Sequence, residues 1–140
     1  MYLLDSEHIS VLQRESDPEF STLRSRMNEH SPHVFFLPII TFHEQLLGWH
    51  TYIKRKQKPG DIIFGYRMFE KMLQSFASYA VLPFDESAMN EFQRIEKQIG
   101  VGDKRIAAIA LAHDLTLLTR DGHFDNIPSL RVEDWTRPIV

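Results

Sequence analysis

Val101-Gly-Asp103-Lys-Arg-Ile-Ala-Ala-Ile-Ala-Leu-Ala-His113 is the most informative segment of this chain. Residues 106–112 are all apolar, so the helix predicted here has no polar face and is expected to be buried on most sides. Asp103 falls in its first turn, where the helix dipole and the free N–H groups favour a negative charge. A carboxylate on a rigid, buried helix is well placed to bind a metal ion, although taken alone it is equally explained as a helix-capping acid.

The composition is that of an ordinary globular protein. Its 140 residues suit one domain spanning 1–140, with 43% hydrophobic and 25% charged residues. No apolar run is long enough to cross a membrane, and the N-terminus lacks the basic region of a signal peptide. The absence of cysteine excludes disulfides and thiolate metal sites and fits a cytoplasmic location. The net charge of −3 argues mildly against nucleic-acid binding, but a carboxylate-rich metal site would itself lower the charge.

Strands and helices are predicted to alternate along the chain. Strands are expected at 2–4, 34–37, 79–82, 115–119 and 130–132, and helices begin near residues 6, 18, 39, 61, 85 and 101. The helix from 39 to 56 ends in a basic cluster, interpreted as solvated, and Pro59-Gly60 stops it. With the next helix, capped by Asp61, it forms a protruding αα hairpin. The expected core stripes are Phe42, Leu46, Trp49 and Ile53 in the first helix, and Ile62, Tyr66, Phe69, Leu73 and Phe76 in the second.

Such alternation predicts an α/β fold, with a parallel sheet of about four to five strands flanked by helices. In open sheets of this kind the functional site lies beyond the carboxyl ends of the strands. Asp5 follows the first strand and Asp121 follows the fourth, so both are expected at that edge.

Four acids are therefore candidates for one metal site: Asp5, Glu44, Asp103 and Asp121. Mg²⁺ prefers oxygen ligands and shares its coordination with waters and substrate phosphate. Two such ions about 3.5–4 Å apart activate water and stabilise the leaving oxygen in phosphodiester cleavage. Taken singly, Asp5 is also explained as a helix cap, Glu44 as an exposed helix residue and Asp121 as a turn residue.

Other catalytic sites fit the sequence less well. His43-Glu-Gln-Leu-Leu47 begins like a zinc-protease helix but lacks the second histidine, and His43 and His50 lie about 10 Å apart along a helix. There is no Gly-x-Ser-x-Gly elbow and no phosphate-binding glycine loop. The seven histidines are interpreted as surface or partly buried structural residues.

The acidic motifs resemble, in order, those of the VapC-type toxins of the PIN-domain ribonucleases. The matching segments are Tyr2-Leu-Leu-Asp5-Ser-Glu-His-Ile-Ser10, Ile40-Thr-Phe-His-Glu44-Gln-Leu-Leu-Gly48, Ile99-Gly-Val-Gly-Asp103-Lys-Arg-Ile-Ala-Ala108 and Leu117-Leu-Thr-Arg-Asp121 with Phe124. Val81-Leu-Pro-Phe-Asp85 and Arg131-Val-Glu-Asp-Trp135 resemble connecting segments, so the likeness covers nearly the whole chain.

The resemblance implies a three-layer α/β/α PIN-like fold and a Mg²⁺- or Mn²⁺-dependent endoribonuclease inhibited by a cognate antitoxin. It also suggests a homodimer. Asp5, Glu44, Asp103 and Asp121 become the catalytic, metal-binding quartet, with Ser6, Arg105, His123 and Asp125 as weaker candidates. The chain departs from the family pattern in two places. Ser6-Glu7 replaces Thr-Asn or Thr-Asp, and His123 stands where an Asp is usual in a loop one residue shorter, which leaves Asp125 as an alternative fourth acid.

The function predicted is therefore RNA cleavage by the toxin of a type II toxin–antitoxin pair. Two alternatives remain open at this point. One is a catalytically weakened PIN fold that binds a partner, and the other is a metal-dependent phosphoesterase acting on DNA or nucleotides, because nothing in the sequence shows recognition of the ribose 2′-hydroxyl.

Overall fold

A five-stranded parallel sheet forms the centre of the computed structural model, which describes residues 1–139. The strands lie in the order β3-β2-β1-β4-β5, and every neighbouring pair is parallel. The predicted α/β class and strand number are confirmed. The strands are β1 (Tyr2–Leu4), β2 (Phe35–Pro38), β3 (Ala80–Leu82), β4 (Thr116–Leu118) and β5 (Val132–Glu133).

Helices cover both faces of this sheet. They are α1 (Ser6–Arg14), α2 (Glu19–Met27), α3 (Ile39–Arg55), α4 (Pro59–Ser78), α5 (Glu86–Arg94) and α6 (Val101–Ala112), with short 3₁₀ helices at Pro32–Val34 and Gly122–Asn126. No helix among the described residues has the length and apolar character needed to span a membrane.

The core has two parts because the central strands are apolar on both faces. Successive side chains of a strand point to opposite faces. Leu3 and Leu117 accordingly pack with α5 and α6, while Leu4 and Leu118 pack with α1, α2 and α4. Residues 106–110 of α6 are all buried, as their uniform apolar character predicts. The α/β/α layering is thus confirmed.

The buried face of α4 differs from the prediction. Phe76 is buried as predicted, but Tyr66 and Leu73 are each 60% exposed, and Gly65, Met68 and Met72 are buried in their place. The reason is the close approach of α3: a Cβ at Gly65 would lie 2.7 Å from Ile53 Cγ1. The prediction used only the spacing of large apolar residues, so it could not identify a buried face that is determined by a glycine.

Two predicted helix boundaries are also wrong. Helix α4 begins at Pro59, not after Asp61, because proline is favoured in the first turn, where its missing N–H costs no hydrogen bond. Helix α5 ends at Arg94, before the predicted stop at Gly100. Ile95 there adopts extended backbone and is buried in the core, and residues 96–99 turn toward α6.

Candidate metal centre

The strand order places a crevice between β1 and β4. From β1 the chain winds to one side through β2 and β3, and then returns to the other side with β4 and β5. This reversal is the topological switch point, where ligands bind beyond the carboxyl ends of the strands in α/β sheets. Asp5 directly follows β1, and Asp121 lies in the segment after β4. The sequence-based placement of these two acids at one edge is confirmed.

Asp5 is held in a fixed orientation. It is only 5% exposed, and its Oδ1 accepts a hydrogen bond of 3.1 Å from the backbone N–H of His8, which caps α1. Its Oδ2 accepts one of 2.5 Å from the Thr119 hydroxyl. Each carboxylate oxygen has two acceptor sites. The capping role and metal binding are therefore compatible in this residue.

Thr119 is a buried residue that the sequence analysis did not single out. While its hydroxyl donates to Asp5, the same oxygen accepts a 3.0 Å hydrogen bond from the backbone N–H of Asp121. One side chain thus fixes the positions of two of the predicted acids relative to each other. Its place at the end of β4, two residues before Asp121, was the available signal.

His8 supports Asp5 from the opposite side. The imidazole is fully buried, so its interpretation as a surface or partly buried histidine was wrong, because the burial comes from the C-terminal segment folding over α1. Its Nε2 accepts a 3.2 Å hydrogen bond from the backbone N–H of Trp135. Its Nδ1 lies 3.5 Å from Asp5 Oδ1 and has no hydrogen-bond partner among the described residues.

Asp103, Asp121 and His123 form the most compact group of possible metal ligands. One ligand atom from each residue lies within 4.8 Å of the other two. Asp103 occupies the first turn of α6, as predicted, and makes no side-chain hydrogen bond within residues 1–139, so the capping interpretation does not describe it. Asp121 Oδ1 accepts a 2.9 Å hydrogen bond from the His123 N–H and also lies 3.1 Å from His123 Nδ1.

Glu44 approaches the group from α3. A Cβ at Gly102 would lie 2.9 Å from Glu44 Oε1, so the absence of a side chain at this position lets the carboxylate reach the start of α6. Glu44 is exposed at the rim of the site, and Arg105 is close enough to lower the pKa of its carboxyl group. All four predicted acids are therefore brought to one end of the sheet.

The acids repel one another. Burial raises the pKa of Asp103, and the nearby charges of Asp121 and Asp5 raise it further, against a lowering effect of His123. Partial desolvation against the start of α6 and the charge of Asp103 likewise raise the pKa of Glu44, although His43 and Arg105 oppose this. Within residues 1–139, no lysine or arginine forms a salt bridge with any of the four acids.

Asp103→Asn is therefore expected to stabilise the metal-free protein. Because the folded pKa of Asp103 lies above its ordinary value of 3.8, the charged carboxylate costs stability at neutral pH, and this cost disappears as the pH falls below the unfolded pKa. After a discount for solvent screening we expect a gain of about 0.5–1 kcal/mol, or roughly 2–4 °C. Thermal melts with chelator from acidic to neutral pH measure it. Equal or lower stability of the variant at pH 7 would contradict the repulsion.

Two of the weaker candidate site residues, Ser6 and Asp125, lie outside the compact ligand group. Asp125 is exposed and lies outside the ligand group, with its Oδ2 3.7 Å from the position of a Cβ on Gly122. Ser6 directs its hydroxyl to Thr41 Oγ1, at 3.0 Å, and so joins α1 to α3. The structure thus favours Asp121 over Asp125 as the fourth acid, and it gives Ser6 a hydrogen bond between helices.

Comparison with known families agrees with this geometry. A family model described as PIN domain matches residues 2–130. The chain belongs to the PIN domain family. Among curated proteins no match is found.

Several solved structures share the fold of this chain. FitAB bound to an IR36 DNA fragment matches with a TM-score of 0.75 and 25% identity, covering 100% of this chain and 99% of that chain. VapBC-1 from nontypeable Haemophilus influenzae matches with a TM-score of 0.74 and 21% identity, covering 97% and 98%. Mycobacterium tuberculosis VapC20, a Sarcin-Ricin loop cleaving toxin, has a TM-score of 0.60 and 11% identity, covering 94% and 99%. The resemblance to VapC-type PIN proteins is confirmed.

The residues of this PIN site fit a divalent cation. Carboxylate oxygens are of the type that hard divalent ions prefer, and one oxygen each of Asp103 and Asp121 already lies within 4.8 Å of the other and of a ring nitrogen of His123. Besides burial, Asp121 and Asp5 raise the pKa of Asp103, and Asp103 raises the pKa of Glu44, as expected for acids that repel one another. A bound cation would relieve that repulsion.

Proposed function

We propose that this PIN protein is a metal-dependent endoribonuclease and the toxin of a type II toxin–antitoxin pair. In this proposal Asp5, Glu44, Asp103 and Asp121 hold Mg²⁺ or Mn²⁺. The observation that carries it is the convergence of the four acids at one end of the sheet, without a lysine or arginine salt bridge in the described chain. Asp103 and Asp121 belong to the compact ligand group with His123, and Asp5 and Glu44 lie outside that group. An acidic cluster built only for stability would be expected to include lysine or arginine partners.

The contacts of each residue indicate its role in the proposed site. A bound divalent ion supplies a water of lowered pKa and stabilises charge on the phosphate. Thr119 and His8 hold Asp5 from two sides, so this carboxylate cannot turn away from the site. Asp103 and Asp121 face each other across the crevice, and Glu44 lies at the open rim. Arg105 is exposed beside Glu44, where its guanidinium is available to a substrate phosphate.

RNA is proposed as the substrate by analogy with VapC20, which cleaves a Sarcin-Ricin loop. The test is cleavage of a mixed RNA pool by antitoxin-free protein with Mg²⁺, with Mn²⁺ and with chelator. We expect cuts at defined positions with metal and none with chelator. The same reactions with single-stranded and duplex DNA separate a ribonuclease from a general phosphoesterase. Cleavage that persists in chelator would contradict the metal mechanism, and absence of both cleavage and metal binding would favour the partner-binding alternative.

A cognate antitoxin is proposed as the protein partner by analogy with the FitAB and VapBC-1 complexes. The cytoplasmic location stays a prediction.

A homodimer is proposed from the outer surface of the α3–α4 hairpin. Five large apolar residues of the hairpin are 41–60% exposed: Leu47, Ile63, Phe64, Tyr66 and Leu73. Exposed apolar surface of this kind marks association sites. Light scattering at micromolar concentration is expected to give twice the chain mass of 16.4 kDa. A monomeric wild type would contradict the homodimer, and a dimer that persists in Tyr66→Glu would contradict its assignment to this surface.

A further inference from the structure

We propose that His123 provides a nitrogen ligand that makes this site select first-row transition-metal ions, such as Mn²⁺, over Mg²⁺. The inference rests on the proposed metal site and adds its ion preference. One ring nitrogen of His123 belongs to the group whose ligand atoms lie within 4.8 Å of one another, together with oxygens of Asp103 and Asp121.

The backbone around His123 is fixed even though its ring is open to solvent. Asp121 begins the 3₁₀ turn and accepts the backbone N–H of His123 at 2.9 Å, which folds the histidine back toward the acids. Phe124 and Ile127 anchor the same turn in the core, at 1% and 4% exposure. The side chain of His123 is 79% exposed. The ring is therefore held beside the acids and open to solvent, with its Nδ1 3.1 Å from Asp121 Oδ1.

The imidazole nitrogen of His123 is a softer ligand than a carboxylate oxygen, and this difference determines which metal ions it favours. Mg²⁺ takes oxygen ligands almost exclusively and gives up its waters reluctantly. Imidazole is a good ligand for first-row transition ions, whose affinities rise from Mn²⁺ toward Cu²⁺. A site of carboxylates alone discriminates weakly between Mg²⁺ and Mn²⁺, whereas one imidazole adds affinity for Mn²⁺ only. His123 therefore acts on the choice of ion, while the acids account for binding as such.

Other groups near the site do not explain the same preference. His43 lies on α3 next to Glu44 and influences the charge of Glu44, but it is not part of the compact ligand group found within residues 1–139. His8 is fully buried behind Asp5, with its Nε2 occupied by the Trp135 N–H. Neither ring is placed with Asp103 and Asp121 as His123 is.

The experiment compares metal affinity and metal coordination in four forms of the full chain. Calorimetric titrations with MnCl₂ and with MgCl₂ are made on the wild type, His123→Gln, His123→Asp and the control His113→Gln. His113 is exposed at the opposite end of α6 from Asp103, so its loss leaves the site unchanged. Pulsed EPR on the Mn²⁺-loaded proteins reports whether a histidine nitrogen is bound to the ion, independently of activity.

In the wild type and His113→Gln we expect Mn²⁺ to bind about 100-fold more tightly than Mg²⁺, with a nitrogen coupling in the EPR signal. In His123→Gln, Mn²⁺ affinity falls about tenfold, Mg²⁺ affinity stays within about threefold, and the coupling disappears. In His123→Asp, Mg²⁺ affinity rises and the preference shrinks. An unchanged preference in His123→Gln, or a nitrogen coupling that survives in it, would overturn the inference. If the wild type binds both ions without preference and cleaves RNA, only this inference fails; if it binds neither ion, the proposed function fails with it.

Discussion

Asp103→Asn is expected to lower the rate of metal-dependent RNA cleavage by about 10³-fold or more, on the order of 4 kcal/mol of transition-state stabilisation. Asparagine has nearly the shape of aspartate but carries no charge. Asp103 makes no other side-chain hydrogen bond within residues 1–139, so the substitution removes a charged ligand and little else. Single-turnover cleavage of the preferred RNA site, at saturating Mn²⁺ and at saturating Mg²⁺, measures the loss.

The stability of the same variant makes the experiment decisive. Because burial and the neighbouring acids raise the pKa of Asp103, Asp103→Asn is expected to be more stable than the wild type at neutral pH without metal. A less active but more stable protein cannot owe its inactivity to unfolding. Asp61→Asn, in the first turn of α4, is a matched control that removes a carboxylate elsewhere and should keep full activity. Cleavage by Asp103→Asn within about tenfold of the wild type would exclude Asp103 as a primary ligand.

Three of the four acids follow from patterns in the sequence itself. Asp5 and Asp121 each come after an apolar segment that reads as a buried parallel strand, and the carboxyl ends of parallel strands share one edge of the sheet. Asp103 follows from a helix with no polar face, because such a helix must be buried along most of its length, which fixes the position of the acid in its first turn. The distribution of apolar residues along the chain is therefore enough to place these three acids.

Glu44 is different, because its helix offers no comparable rule. Its position in the middle of α3 is that of an exposed helix residue, and only the family resemblance identified it. The structure supplies the physical reason for its proximity to Asp103: Gly102 leaves room for the carboxylate at the start of α6. The contact exists because Gly102 has no side chain, so the residue pattern of α3 alone cannot predict it.

The supporting residues were missed for a related reason. Thr119 and His8 act through hydrogen bonds and burial that join segments more than 100 positions apart in sequence, since Thr119 bonds Asp5 and His8 bonds Trp135. Neither residue type signals such a role by itself. The same limit explains the wrong face of α4, where the neighbour across Gly65 determines which residues are buried.

Asp121→Asn and Asp125→Asn are expected to differ by at least about 30-fold in cleavage rate, which decides which acid completes the site. Both residues belong to the short loop after β4, and either is a candidate fourth acid on sequence alone. The structure places Asp121 in the ligand group and leaves Asp125 exposed outside it. We therefore expect a loss of about 10²–10³-fold for Asp121→Asn and a change within about threefold for Asp125→Asn.

The pair is closely matched because each substitution keeps the local fold. The amide oxygen of asparagine still accepts the backbone N–H of residue 123, which Asp121 Oδ1 accepts at 2.9 Å, and the Asp121 N–H still donates to Thr119. Only the charge is lost at either position. Rates are measured at equal metal occupancy, set from each variant's own titration, so that weaker binding is not mistaken for slower chemistry. If Asp125→Asn were the inactive member, the loop would have to rearrange when metal binds, with Asp125 moving inward and Asp121 remaining as the cap of the turn.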